Sequence, residues 1–132
     1  IPGILKAVIK HEVLPLRSDG TFVRDYVFVR DVVDGYIALA EQINKTRGEA
    51  YNFSSGYNFS VIQLIEKISW IIGAKVEVAI LNNQKNEIPS QSLNYDKAIA
   101  RLGWKPTTTF EQAILETYGW YAAALAEDRI QS

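Results

Sequence analysis

Apolar residues recur along this chain at two spacings, one typical of helices and one typical of strands. The helical spacing i, i+3, i+4, i+7 predicts amphipathic helices, each with one buried face. Such helices are expected over residues 1–12, 29–43, 61–72 and 110–125, with a shorter one at 94–102. The second of them carries its stripe at Val29, Val32, Val33, Tyr36, Ile37, Ala40 and Ile43. That stripe predicts a face packed on a core.

Polar residues mark where these helices begin. Ser60 with Gln63, and Thr109 with Gln112, have the spacing of a capping box, in which a hydroxyl and an amide satisfy the first backbone N–H groups of a helix. Asp31 is expected to cap the helix of residues 29–43 or to stabilise its N-terminus by charge.

Four other segments have the composition of strands. Residues 22–29 are dense in aromatic and β-branched side chains, and residues 75–81 alternate. The segments 13–16 and 50–53 are shorter, and Pro15 confines the first of them to a sheet edge or an irregular strand. Helices with short strands between them predict one small α/β or α+β domain over residues 1–132.

Composition narrows the class of protein. The chain has 132 residues, 48% hydrophobic and 22% charged, which is ordinary for a soluble domain with one modest core. Its net charge of −1 gives no case for binding nucleic acid or an anionic membrane. With no cysteine and one histidine, we expect neither disulfides nor a metal site. No apolar run is long enough to span a membrane, and a cytoplasmic location is compatible with all these features.

Arg24 is the side chain with the most suggestive chemistry. It lies between the turn 18–20 and a hydrophobic strand, where a guanidinium can present a planar fork of donors to phosphate oxygens. If the segment folds back as a hairpin, Arg17 would approach the same ligand. The alternative is an Arg24–Asp25 surface pair or a salt bridge that holds a loop. Spacing alone leaves both interpretations open.

A family resemblance bears on this choice. Residues 14–31 read Leu-Pro-Leu-Arg-Ser-Asp-Gly-Thr-Phe-Val-Arg-Asp-Tyr-Val-Phe-Val-Arg-Asp, which resembles a stretch of the extended short-chain dehydrogenase/reductases that act on nucleotide sugars. The segments 51–53, 60–65 and 87–106 resemble later parts of that family in the same order. The resemblance covers nearly the whole chain. It implies the C-terminal, substrate-binding region of an extended Rossmann-type NAD-dependent epimerase or dehydratase.

The resemblance implies roles for several of these residues. Arg24 would contact the diphosphate of the nucleotide sugar. The strand before the turn lies against the base in the family, so residues Leu14 to Arg17 are candidate base contacts through their backbone groups, with core packing as the alternative for Leu14 and Leu16. Glu87 would orient a sugar hydroxyl or cap its own loop.

The chain departs from the family at one phosphate contact. Many relatives have a second phosphate-binding arginine where this chain has Gln84-Lys85-Asn86. Lys85 would then act as a point charge, which cannot form a bidentate fork, or Arg17 would substitute.

The wording of residues 16–26 and 87–91 most resembles the family members that dehydrate CDP-glucose at positions 4 and 6. The predicted ligand is therefore a nucleotide sugar, with CDP-glucose favoured. The alternatives are a UDP- or GDP-sugar epimerase or dehydratase, or a stand-alone, non-catalytic domain that binds a nucleotide or a protein.

The parts that this family uses for hydride transfer are missing from the sequence. Its eight glycines contain no G-x-x-G spacing, and no tyrosine lies four residues before a lysine. Dinucleotides are bound at glycine-rich turns against helix N-termini. We therefore expect the NAD-binding Rossmann domain to be absent from residues 1–132, with no catalytic or cofactor-binding residue among them and NAD bound only in a longer parent enzyme.

Two consequences follow from that expectation. The isolated chain is predicted to have no turnover. It is also predicted to expose apolar surface where the cofactor domain should pack, and self-association into a homodimer would cover that surface.

Overall fold

The computed structural model describes residues 1–83 and 87–126, and within these residues six helices alternate with four short strands. Their bounds are α1 Pro2–Lys10, β1 Leu14–Leu16, β2 Val23–Tyr26, α2 Val29–Glu41, α3 Ile43–Thr46, β3 Tyr57–Ser60, α4 Val61–Ile72, β4 Val78–Ile80, α5 Asp96–Leu102 and α6 Phe110–Ala126. This is the mixed α/β fold that the hydrophobic pattern predicts. None of these helices combines the length and the apolar character needed to cross a bilayer.

The strands form two separate two-stranded sheets. β1 runs parallel to β4, with Leu16 opposite Ile80, and β2 runs antiparallel to β3, with Arg24 opposite Phe59. The hairpin considered for bringing Arg17 to Arg24 is therefore wrong. β1 and β2 belong to different sheets because each pairs with a later segment of the chain.

The main core lies where α1, α4 and α6 meet β1. Leu5 and Ile68 are fully buried there, and Leu64 and Ile114 are nearly so. The apolar stripes predicted for these three helices are thus confirmed. A smaller cluster forms around Trp104, which packs with Ala98 and Leu102 of α5.

The stripe of α2 behaves differently. Val29 is 67% exposed and Tyr36 is 64% exposed, and Val33, Ile37 and Ile43 are about half exposed. The buried residues of this helix are Asp31 and Gly35. The prediction that the apolar face of α2 packs on a core is therefore wrong within this chain. The predicted exposed apolar surface is present, and a large part of it lies on α2.

Two strand predictions also need correction. Residues 50–53 have no ladder partner among the described residues, and the paired strand is β3, which begins at Tyr57. Phe53 instead packs by its ring, edge-on to Trp104 at 4.7 Å between centroids. The strand predicted over 22–29 ends at Tyr26, since Val29 already begins α2.

Asp31 lies in the first turn of α2, as predicted, but it does not cap that helix. Its carboxylate accepts hydrogen bonds from the backbone N–H and the hydroxyl of both Thr107 and Thr108, at 3.1–3.3 Å. The Trp104 indole donates to the Asp31 carbonyl at 2.8 Å. The charge still favours the helix N-terminus. The hydrogen bonds of the Asp31 side chain, however, join α2 to the loop before α6.

Candidate functional site

Strand β2 holds the segment of residues 87–93 along its length. The Val23 N–H donates to the Pro89 carbonyl at 2.9 Å, and the Val23 carbonyl accepts from the Gln91 N–H at 3.1 Å. These bonds fix the middle of the segment. The next two residues of β2 hold its ends through their side chains.

Arg24 holds the first end. Its Nη1 donates to the carbonyls of Ile88 at 2.7 Å and Val23 at 2.8 Å, and its Nη2 donates to Glu87 Oε2 at 3.0 Å. The Arg24 and Glu87 side chains are 28% and 33% exposed, so the pair is partly shielded from water. A guanidinium has five N–H donors, and these three bonds leave two of them without an acceptor in the described part of the chain.

This geometry answers the question that spacing left open. Arg24 does not pair with Asp25. It forms a salt bridge that holds a loop, yet its fork stays fixed and partly exposed, with donors left over for an external acceptor. A fork held in place loses little side-chain entropy when an anion binds.

Asp25 holds the other end of the segment. Its Oδ2 accepts from the Leu93 N–H at 3.1 Å and from the Ser54 hydroxyl at 2.6 Å. Ser54 is fully buried. Asp25 Oδ1 is also buried and has no partner among residues 1–83 and 87–126.

Strand β1 presents backbone groups at its open edge. The Leu14 N–H donates to Glu77, and the Leu16 carbonyl accepts from Leu81, both at 2.8 Å, so the leucines turn towards β4. Because backbone direction alternates along a strand, the Pro15 carbonyl and the Arg17 N–H point to the open side.

The side chains of the two predicted leucine contacts do not lie at that open edge. The Leu16 side chain is buried in the core, and Leu14 packs against the same cluster. Core packing, the alternative given for both, describes where their side chains lie. Any hydrogen bonding at this edge falls to the backbone groups of Pro15 and Arg17, both of which lie within the predicted range of residues 14–17.

Arg17 and Arg24 contact parts of the chain that are close together in sequence, although no hairpin joins the two arginines. The Arg17 carbonyl accepts from the Asn83 N–H at 2.8 Å, and Glu87 follows Asn83 by four positions. Four residues of chain span at most about 14 Å, so Asn83, which bonds to Arg17, lies within that distance of Glu87, which bonds to Arg24. Lys85, the other predicted phosphate contact, lies outside the described residues.

Comparison with known proteins identifies the family. Residues 2–117 match the family model described as GDP-mannose 4,6 dehydratase. The chain belongs to this family. UDP-glucose 4-epimerase of Bacillus subtilis (strain 168) is 28% identical over 107 residues, which are 80% of this chain and 32% of that protein.

Solved structures agree with this assignment to the GDP-mannose 4,6 dehydratase family. UDP-glucose 4-epimerase from Thermotoga maritima, with UDP-glucose, has a TM-score of 0.82 and 28% identity. dTDP-glucose 4,6-dehydratase from Bacillus anthracis, in complex with NAD, has a TM-score of 0.75 and 27% identity. Each match covers 92% of this chain and 38% of the other. The chain thus spans about a third of the length of the relatives it matches.

Family membership confirms the coarser prediction, a nucleotide-sugar epimerase or dehydratase relative of the extended Rossmann type. The names of these relatives refer to UDP-glucose and dTDP-glucose. The preference for CDP-glucose stays a prediction.

The residues of this chain do not fit NAD. The family member from B. anthracis was solved with NAD, but the present sequence has no glycine-rich turn to receive dinucleotide phosphates. The described residues also contain no cluster of His, Cys, Asp or Glu suited to a metal ion.

Tyr26, two positions after Arg24, does not supply a base either. Burial raises the pKa of its hydroxyl, and the positive charge of Arg24 opposes that shift only in part. A tyrosine whose pKa is raised stays neutral at physiological pH. Tyr26 therefore offers no proton acceptor beside Arg24 at this pH.

A cavity lies beside Tyr26, between the start of α2 and α6. It has a volume of about 370 Å³ and is lined mainly by aromatic and aliphatic side chains, among them Tyr26, Phe28, Tyr57, Phe110 and Tyr121. Among the residues that the structure describes, no acidic or basic side chain lines it. It is unsuited to a diphosphate, and through Val29 it is continuous with the exposed face of α2.

Proposed function

We propose that this chain forms the nucleotide-sugar-binding wall of an NAD-dependent sugar-nucleotide epimerase or dehydratase, with Arg24 as the principal diphosphate contact. The observation that carries the proposal is the Arg24 fork, which is held at Val23, Glu87 and Ile88 while 28% of its side chain stays exposed. Family membership supports the ligand class. Charge-assisted bonds from a fixed guanidinium suit phosphate oxygens.

The base is proposed to lie at the open edge of β1. The Pro15 carbonyl would accept a hydrogen bond from the base, and the Arg17 N–H would donate one to it. A pyrimidine offers the matching donor and acceptor. Glu87 uses Oε2 on Arg24, which leaves Oε1 for a sugar hydroxyl. Lys85 and the Arg17 side chain are proposed as additional phosphate contacts.

CDP-glucose is the proposed nucleotide sugar, and 4,6-dehydration the proposed reaction of the longer enzyme. The resemblance of the sequence of residues 16–26 and 87–91 to enzymes that dehydrate CDP-glucose supports this choice. The alternative is a UDP- or dTDP-sugar, and the names of the relatives favour it. Cytosine and uracil both offer a donor and an acceptor to β1, so the backbone edge alone does not decide between them.

NAD is proposed to be held by a separate Rossmann domain in that longer enzyme, with residues 1–132 forming only the substrate-binding domain. The length of the relatives and the exposed apolar face of α2 support this arrangement. By itself the chain would bind nucleotides weakly and turn nothing over, because the opposite wall of the cleft is missing.

Titration by ¹⁵N NMR tests the site, since it detects weak binding. CDP, UDP, GDP and dTDP are added to the chain in separate experiments. We expect the amide shifts to concentrate at residues 16–17, 23–25, 87–88 and 90–91, with the tightest binding for CDP. Cytidine, which lacks the diphosphate, should bind more weakly.

Arg24→Ala is expected to weaken CDP binding about 10-fold or more, from the loss of charge-assisted bonds. Arg30→Ala is the matched control, because Arg30 pairs with Glu116 on the exposed surface of the fold. Equal CDP binding by Arg24→Ala and the wild type would contradict the site. Tighter binding of UDP would overturn only the CDP preference, and binding of no nucleotide would favour a stand-alone protein-binding domain.

A further inference from the structure

We infer that Asp25 is a positioning residue, whose carboxylate holds the segment 87–93 in the place that keeps the Arg24 fork directed outwards. The inference rests on the proposed role of Arg24 as far as the ligand is concerned. The ordering of Arg24 itself needs no ligand, and it is tested separately.

Strand geometry gives the two residues complementary tasks. Neighbouring side chains on a strand point to opposite faces, so Arg24 and Asp25 contact the segment at different points. Arg24 contacts its first two residues, Glu87 and Ile88, and Asp25 contacts the Leu93 N–H at its far end. With Val23 bonded in the middle, three consecutive residues of one strand fix the whole segment.

The carboxylate also ties in a second loop. Its Oδ2 receives the Ser54 hydroxyl at 2.6 Å, and the Ser54 oxygen in turn accepts from the Gly56 N–H at 3.0 Å. A single oxygen of Asp25 therefore joins β2, the loop before β3 and the segment 87–93. Because Ser54 is fully buried, this junction has little freedom to shift.

The two oxygens of the Asp25 carboxylate differ in their contacts. Asp25 Oδ1 is buried and has no partner in the described part of the chain. An unpartnered buried acceptor destabilises a fold by about 1–3 kcal/mol. We interpret the carboxylate as serving the geometry of the segment at that cost.

Loss of the junction would reach Arg24 through the segment. Two of the three acceptors of its guanidinium, the Ile88 carbonyl and Glu87 Oε2, lie on residues 87–93. The third, the Val23 carbonyl, is its own neighbour and cannot orient the fork alone. Without Asp25 the guanidinium of Arg24 would sample several directions. A ligand would then have to order it on binding, and this entropic cost would weaken binding.

The test is ¹⁵N NMR on the chain without ligand. The readouts are the heteronuclear NOE of the Arg24 Nε–H group and the exchange protection of the Leu93 amide. In Asp25→Ala we expect protection of Leu93 to fall about 10-fold or more, since a fixed acceptor is lost. The Arg24 NOE should fall from the value of ordered backbone to that of the exposed Arg47 side chain.

Three further variants separate positioning from general stability. Asp25→Asn keeps an oxygen in the place of Oδ2 and should retain most of the ordering of Arg24. Asp34→Ala removes the same charge from the exposed side of α2 and should change nothing. Leu64→Ala lowers stability in the main core without removing a hydrogen bond of this junction, and it should leave the Arg24 signal intact.

An unchanged Arg24 NOE in folded Asp25→Ala would overturn the inference, as would an Asn variant that loosens Arg24 as much as the Ala variant. If Asp25→Ala does not fold, Ser54→Ala carries the test with a smaller expected loss, and an unchanged Arg24 would again overturn it. Loosening of Arg24 together with no nucleotide binding by the wild type would sink the proposed function and leave the positioning role standing.

Discussion

At the scale of single residues, Gly35 sets how closely α2 approaches the segment before β3. A Cβ at this position would lie 2.6 Å from Cε1 of the Phe53 ring, closer than carbon atoms can pack. Phe53 in turn packs edge-on against Trp104 and Tyr36. The ring therefore has little room to withdraw, and the missing side chain is what allows this packing.

Gly35→Ala is predicted to destabilise the chain. Alanine favours a helix by about 1 kcal/mol over glycine, but overpacking against a confined ring costs about 1–3 kcal/mol. Gly119→Ala in α6 is the control, since nothing lies within 4 Å of its Cβ position, and it should stabilise by about 0.5–1 kcal/mol. Urea denaturation measures both. Equal stabilisation by the two substitutions would show that Phe53 yields easily.

Asp31→Ala is predicted to cost about 3 kcal/mol or more. It removes a charged acceptor and leaves the backbone N–H groups of Thr107 and Thr108 without their partner at a site that is 2% exposed. Asp34→Ala, on the exposed side of the same helix, should change stability by less than about 0.5 kcal/mol. Denaturation curves that coincide for the two variants would contradict this account of α2 docking.

At the scale of elements, Lys97 joins α5 to the segment that follows α3. Its Nζ donates to Glu49 Oε2 at 2.6 Å and to the Ala50 carbonyl at 2.9 Å, and it lies 4.6 Å from the centre of the Tyr51 ring. The hydrogen bond and the charge of Lys97 lower the pKa of Glu49. The contact is exposed, so it contributes little to stability at neutral pH. Its main measurable effect is on the protonation of Glu49.

Lys97→Met is predicted to return the pKa of Glu49 to its ordinary range. A carboxylate with a lowered pKa stabilises the fold above its ordinary pKa, and this contribution is lost as the pH falls through the lowered value. The stability difference between wild type and variant should therefore shrink in acid. Carboxyl ¹³C NMR titration measures the pKa, with Lys105→Met as the control. An unchanged Glu49 titration in Lys97→Met would contradict the pairing.

Local signals explain which elements the sequence predicts well. The capping boxes of α4 and α6 form as expected, because Ser60 and Gln63, like Thr109 and Gln112, lie three residues apart and need no tertiary partner. Strand β3 was missed because its partner β2 lies far back in the sequence, and no local pattern specifies that register.

The candidate site divides in the same way. The chemistry of a guanidinium and the family resemblance were enough to single out Arg24. Its acceptors, and the part played by Asp25, depend on where residues 87–93 dock, which is a tertiary fact. Neither spacing nor periodicity encodes that contact.

At the scale of the whole molecule, the face of α2 is an incomplete surface. Val33 and Ile37 are each about half exposed, and Val29 lines one groove together with Trp120 of α6. Contiguous apolar surface on a small protein usually covers another surface in its working state. The periodicity of α2 predicts a packing face, but within the described residues that face stays exposed.

The double substitution Val33→Lys with Ile37→Lys is predicted to reduce self-association of the chain and its binding of an apolar fluorescent dye, without lowering its melting temperature. Charges on that face would repel a second copy. Val13→Lys, at a residue that is 52% exposed outside α2, is the control and should have little effect. Sedimentation velocity over a range of concentrations measures the outcome. A wild-type chain that stays monomeric and binds no dye would contradict the prediction.

The bond between Arg24 and the Ile88 carbonyl joins residues 64 positions apart. During synthesis the arginine therefore leaves the ribosome long before its acceptor has been made. Until residue 80 emerges, β1 lacks its partner strand, and until residue 88 emerges the Arg24 guanidinium lacks the Ile88 carbonyl. Both must wait for the closure of a long loop, which is entropically costly. The hydrogen bonds of Arg24 are consequently completed only after two thirds of the chain has been made.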